Sequence, residues 1–288
     1  MAGKFVISAG VTSQSRSFFV MRSEELIENN SDHCFLVEMA QEGFEKVASR
    51  STNISASACF EGRLLFASHR ELFELTENGS SSCHQLPLPK DLMLLHRIKT
   101  CGSRLFLLGD LGKIYARTTL SAGDYQLDMA GIAGEKLFND IYQDDKLGCV
   151  VGFGGSVWVR SGYGKWTPED VGTNVALTSV TRFNQKLLLG GLGGVLVYGT
   201  PGAWQHVEHD FEGSDIWALT VHREHVLVLT DKAVLEWREG NTKPVFISDQ
   251  GRGVFFAFSE NQKAVWAIGE KVIVEFDGQT WREVASLP

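Results

Sequence analysis

Two histidine pairs, His206 with His209 and His222 with His225, are the first residues whose types and spacing suggest chemistry. Imidazole is a common zinc ligand, but ligands must converge on one point, and strand residues three apart project from opposite faces. The first pair would converge only if the chain left its strand near Val207, with Glu208, His209 and Asp210 in a loop. The second pair flanks a turn after Val221, where polar side chains are expected for solvation alone. No metal site is expected from either.

The glycine run 190–194 is the next candidate, as a phosphate cradle. Such cradles open a helix, whose N-terminal amides hold the anion. Here Leu188-Leu189 precede the run and Val195-Leu196-Val197-Tyr198 follow it, so it joins two strands as a tight turn. No G-x-S-x-G elbow, H-E-x-x-H helix or Walker loop is present, and no catalytic residue or cofactor is expected. One segment carries binding chemistry instead. Glu208-His209-Asp210-Phe211-Glu212-Gly213-Ser214-Asp215 sets four carboxylates around one aromatic ring, the composition of an acidic rim about an apolar anchor.

The elements that must position these residues repeat. Val150-Val151-Gly152, Leu188-Leu189-Gly190 and Ala267-Ile268-Gly269 share one phrase, echoed by Leu107-Leu108-Gly109 and by Leu227-Val228-Leu229-Thr230. Taking that phrase as the end of a second strand puts anchors at Arg22, Ser68, Gly109, Gly152, Gly190, Thr230 and Gly269. Their spacing of about 40 residues accommodates about four short strands each, the period of a β-propeller. The chain is therefore expected to be all-β, a single domain (1–288) of seven four-stranded antiparallel blades. The blades fall at approximately 1–53, 54–92, 93–136, 137–174, 175–214, 215–252 and 253–288. Blades one and seven each read as complete from contiguous sequence, which predicts a seam closed by side-chain packing instead of a swapped strand.

At Gly190-Gly191, Tyr198 and Trp204 the fifth blade resembles a kelch blade, in which a glycine doublet closes the second strand and a Tyr and a Trp pack between blades. Ser161-Gly162-Tyr163-Gly164-Lys165-Trp166 and Phe276-Asp277-Gly278-Gln279-Thr280-Trp281 are more similar to the turns of sialidase-type Asp-box propellers and photosystem-assembly propellers. These resemblances imply the propeller fold and carry no activity with them. Trp166, Trp204 and Trp281 are expected to pack against neighbouring blades. A sialidase-type site would need clustered arginines and a tyrosine nucleophile, whereas Arg22, Arg70, Arg97 and Arg252 are scattered and Tyr142 has no glutamate close by.

Bulk properties narrow the partners. The 288 residues include 27 Lys and Arg against 35 Asp and Glu, a formal charge of −8, which disfavours nucleic acid and favours a basic protein partner. No run approaches the length of a membrane span, and Met1-Ala2-Gly3-Lys4-Phe5-Val6-Ile7 leads into polar residues, so a cytoplasmic protein is expected, monomeric by itself. Five cysteines without a C-x-x-C pair are expected as reduced thiols.

In a propeller, the turns between second and third strands share one face with the connections between blades. Here they bring Glu24, Glu25, Asp110, Asp231 and the acidic segment Glu208, His209, Asp210, Phe211, Glu212 and Asp215 forward as partner-binding residues. An acidic propeller of this kind resembles the small stand-alone propellers that act as immunity proteins, which implies neutralisation of a cognate bacterial effector such as a basic nuclease. A multi-partner scaffold of the kelch or WD-repeat type, and an Asp-box glycosidase or carbohydrate-binding propeller, are the alternatives.

Overall fold

The computed structural model describes residues 4–13, 16–40, 43–76, 82–120, 125–130, 137–209, 211, 213–238, 241–247 and 254–287. Twenty-eight strands form seven four-stranded antiparallel sheets, each a meander in sequence order, and the fold is a seven-bladed β-propeller. The predicted anchors close or directly follow the second strands: Ser17–Ser23, Arg63–Ala67, Arg104–Gly109, Leu147–Gly152, Lys186–Gly191, His225–Thr230 and Val265–Gly269.

Their near-continuous apolar runs reflect where they lie. Leu105 to Leu108, Leu187 to Leu189 and Val226 to Leu229 are buried without alternation, because both faces of a second strand pack against something. Outer strands, such as Ala203–His206, are largely exposed.

One compact unit comprises 1–88 and 248–288 and holds blades one, two and seven. The sheets of blades one and seven are each built from contiguous sequence, and among the described residues no strand crosses between them. They meet through Ile7, Phe19 and Met21 packed with Trp266, Ile268 and Ile273, with Phe19 and Trp266 stacked at 6.1 Å. Polar contacts finish the seam: Ser259 Oγ accepts the Thr12 amide at 2.9 Å, and Lys271 Nζ donates to Phe5 O at 2.7 Å and Glu24 Oε1 at 2.5 Å.

The second unit, 89–247, holds blades three to six. Their first strands are Leu95–Cys101, Phe138–Gln143, Leu177–Phe183 and Ile216–His222, and each has a bulge at its second residue: His96, Asn139, Thr178 and Trp217. A bulge re-aims its side chain. Asn139 Nδ2 thereby reaches Leu177 O at 2.7 Å and Thr178 Oγ1 reaches Ile216 O at 2.5 Å, each bonding to the following blade. In the other unit Ser8, bulged in the same way, donates to Ile54 O.

A second set of bonds lies deeper. The fully buried Asp140 carboxylate accepts Lys99 Nζ at 2.7 and 2.8 Å, Ser179 Oγ at 3.0 Å and the Val180 amide at 2.9 Å. Ser179 Oγ in turn accepts the Leu219 amide at 3.0 Å, so one relay crosses blades three to six. The outer tryptophans behave as expected in this unit. Trp166 packs with the core of blades three and four and Trp204 with that of blades four and five, their indoles donating to Asp128 and Glu169. Trp281, in the other unit, stacks on Phe276 of its own blade at 4.9 Å.

Cys34, Cys59, Cys101 and Cys149 are free thiols. Burial pushes the Cys101 thiol up to about 11 and raises that of Cys149 as well, so both stay protonated where an ordinary thiol begins to ionise. Iodoacetamide at pH 8 is expected to leave both unmodified in the native protein and to label both after unfolding, as peptide mass mapping would show. Because the folded state holds these protons more tightly, they favour folding below the ordinary thiol pKa. That contribution falls between about pH 8.5 and the raised value.

Candidate partner-binding surface

The turns between second and third strands and the connections between blades come together at one end of blades three to six. Their backbone does this by a repeated bond: the amide just past the second strand donates to the carbonyl just before the first strand of the same blade. Asp110 N reaches Leu94 O at 3.0 Å, Phe153 N Leu137 O at 3.2 Å, Leu192 N Ala176 O at 3.0 Å and Asp231 N Asp215 O at 3.2 Å. The glycine phrase belongs to this bond. A Cβ at Gly152 would stand 2.1 Å from Leu137 O, so blade four needs glycine there, whereas blade six makes the same bond with Thr230 in that place.

The acidic segment lies here and is pinned to the glycine turn Leu192–Gly194. Asp215 Oδ1 accepts the Gly193 amide at 2.8 Å, His209 Nε2 donates to Gly194 O at 2.6 Å, and Gly213 N donates to Gly193 O at 3.1 Å. The His209 ring stacks on Phe211 at 3.5 Å with 7° between planes, and Phe211 packs against the core of blades five and six. Phe211 is half-buried, one side of its ring packed onto that core. Glu208 is exposed. Asp210 and Glu212 lie outside the described residues.

The other predicted residues separate. Asp110 is buried, and its Oδ1 accepts the amides of Met93 and Leu94 at 3.1 Å each, so it clamps a loop instead of facing a partner. Asp231 is a quarter exposed, 3.9 Å from the Lys232 ammonium. Glu24 and Glu25 belong to the other unit, at the start of the helix Glu24–Glu28. Glu24 is engaged by Lys271, whose hydrogen bond holds its carboxyl below the usual range, while Glu25 is exposed.

The histidine pairs do not converge on a cation. His206 Nε2 donates to Val171 O at 3.1 Å and His209 Nε2 to Gly194 O, and His225 lies 2.5 Å from Glu236 Oε1 while His222 is buried. Among the described residues no three His, Cys, Asp or Glu side chains are grouped so as to hold a metal. Tyr142 does have an acidic neighbour, Asp144, which accepts its hydroxyl at 2.9 Å and also binds Arg182. Burial, together with that hydrogen bond, pushes the phenol up to about 12, opposite to what a nucleophile needs.

Sequence reasoning missed the apolar residues of this end. Met93 is 73% exposed, Leu111 44%, Phe153 53% and Trp217 36%. Each sits in a turn, in a loop or at a bulge. The signal was present in the repeat: Leu111 stands where the sister turns have Gly154 and Gly193.

Comparison with known proteins gives this surface a context. No family model matches the chain. Over 136 residues, 47% of this chain and 44% of the relative, it is 28% identical to the immune protein Tsi7 of Pseudomonas aeruginosa. The match thus spans less than half the length of that relative. Among solved structures, YCF48 from Cyanidioschyzon merolae superposes with a TM-score of 0.68 at 12% identity, covering 96% of each chain. A streptogramin B lyase superposes at 0.70 with 12% identity over 98% of this chain and 94% of that one. Virginiamycin B lyase from Staphylococcus aureus gives 0.71 with 10% identity over 92% of both. At such identities these structures show the shared fold alone.

Proposed function

We propose that this protein is a noncatalytic propeller that binds and neutralises one cognate bacterial effector, as an immunity protein, and that it is a cytoplasmic monomer before it meets that partner. The similarity to Tsi7 carries this reading. The surface supports it: the connections 170–176 and 207–215 contain Asp170, Glu208, Asp210, Glu212 and Asp215 and no lysine or arginine. A basic partner, such as a nuclease, would be steered to that surface electrostatically.

Co-expression with the product of the adjoining gene tests the proposal. Rescue of growth together with a stoichiometric complex is expected; turnover of a glycoside by the purified protein, with no complex, would refute it. The structure shapes the site-directed version. Asp215 is kept because its carboxylate holds the Gly193 amide, and Glu208, Asp210 and Glu212 are changed to lysine. Association is expected to slow roughly ten-fold at low salt, with the difference shrinking at high salt and thermal stability unchanged. Salt-dependent stopped-flow kinetics would check it; equal rates would remove the acidic loop from the interface.

A further inference from the structure

Three turns of the second unit share one backbone: Asp110–Gly112, Phe153–Gly155 and Leu192–Gly194. The middle residue of each is left-handed, at φ 55°, 62° and 64°, and two of the three are glycine. The third is Leu111. Left-handed backbone is unfavourable for any residue with a Cβ. The other non-glycine residues with positive φ among those described are Asn30, Glu61, Asn184, Gln185 and Arg223, all polar or charged. Leu111 is the apolar exception, and its side chain is substantially exposed. The fold gains neither from the conformation nor from the exposure.

Its surroundings share the second feature. Met93 lies in the loop that Asp110, the neighbour of Leu111, clamps through the Met93 and Leu94 amides. Phe153 opens the equivalent turn of blade four. Blades three and four pack directly against each other through Phe106, Leu108, Phe138 and Ile141, so exposed apolar side chains occupy the same end of adjacent blades. On the blade five side this end passes into the connections 170–176 and 207–215, which carry only acidic charge. Apolar anchors with Lys90 and Lys113 on the blade three side and acid alone on the blade five side make a protein-binding surface of the hot-spot kind.

We infer that Leu111 is retained for binding, at a cost to the fold, and that with Met93 and Phe153 it receives an apolar side chain of the effector flanked by lysine or arginine. This rests on the neutralising role proposed above, and the experiment separates the two. Leu111→Gly, the triple variant with Met93→Ser and Phe153→Ser, and the control Leu127→Ser, an exposed leucine on an outer strand, are compared with the unmodified protein. Calorimetric melting is measured on each alone, and titration calorimetry against the recombinant product of the adjoining gene. Leu111→Gly is expected to melt at the same or a higher temperature and to bind about ten-fold more weakly, the triple variant about a hundred-fold. The control should bind as the unmodified protein does. A melting temperature several degrees lower for Leu111→Gly would make Leu111 a folding residue and overturn the inference, as would unchanged affinity in both variants. Failure of the unmodified protein to bind that product would instead remove the neutralising role, and this inference with it.

Discussion

Replacing Asp140 with alanine is expected to cost about 3–5 kcal/mol of unfolding free energy, the range for breaking a buried ion pair by removing one partner. The carboxylate is fully buried and accepts four hydrogen bonds, two of them from Lys99. Without it the Val180 amide and the Ser179 hydroxyl lose their acceptor, and the Lys99 ammonium loses its counter-charge. Lys99 keeps some access to water, with its side chain 27% exposed, so the lower half of the range is the better guide. Asp140→Asn should cost less, because the amide oxygen still accepts from Val180. Combining Asp140→Leu with Lys99→Met should cost less than the sum of the two single changes, since each single change leaves an unpaired charge and the double change leaves none. Urea denaturation with an unchanged slope would measure all three; a loss below about 1 kcal/mol for Asp140→Ala would mean that the relay does not hold the blades.

Gly155→Ala is the second large effect, and Gly154→Ala is its control. Both glycines are left-handed, at φ +67° and +62°. A Cβ at Gly154 meets nothing within 4 Å, so alanine there should cost only the conformational penalty of about 1 kcal/mol. A Cβ at Gly155 would stand 1.8 Å from Thr173 O and 2.7 Å from Thr173 C. These are backbone atoms of the loop joining blades four and five, and Gly155 N donates to Val175 O at 2.8 Å in the same loop. The loop would have to move, adding an overpacking cost and bringing the total to about 2–4 kcal/mol. The natural sequence already contains the tolerated substitution, since Leu111 occupies the position equivalent to Gly154. Equal destabilisation by the two alanines, read from denaturation midpoints, would show that close approach plays no part.

Much of the architecture is legible without coordinates because its signals are local. The first strand Leu177–Phe183 and the third strand Val272–Phe276 follow from apolar runs bounded by turn residues. The second strands follow from the phrase that ends each of them. Completeness of blades one and seven was also readable, since the strand order within every sheet is the order of the chain. The site was legible only in part. The acidic segment stood out by composition, but which of its residues face outward depends on bonds to Gly193 and Gly194, far away in sequence. Phe211 packs part of its ring onto a core, and Asp110 turned inward to two backbone amides. Neither partner can be read from the residues themselves.

The amino-acid sequence by itself determined the period and the number of blades, because each follows from apolar runs and turn residues within a few positions of one another. Tertiary structure alone decided which charged groups are spent inside, as Asp140 and Asp110 are, and which apolar groups are left outside, as Met93, Leu111 and Phe153 are. Exposure and hydrogen-bond partnership are set by segments brought together across blades, and no local pattern records them.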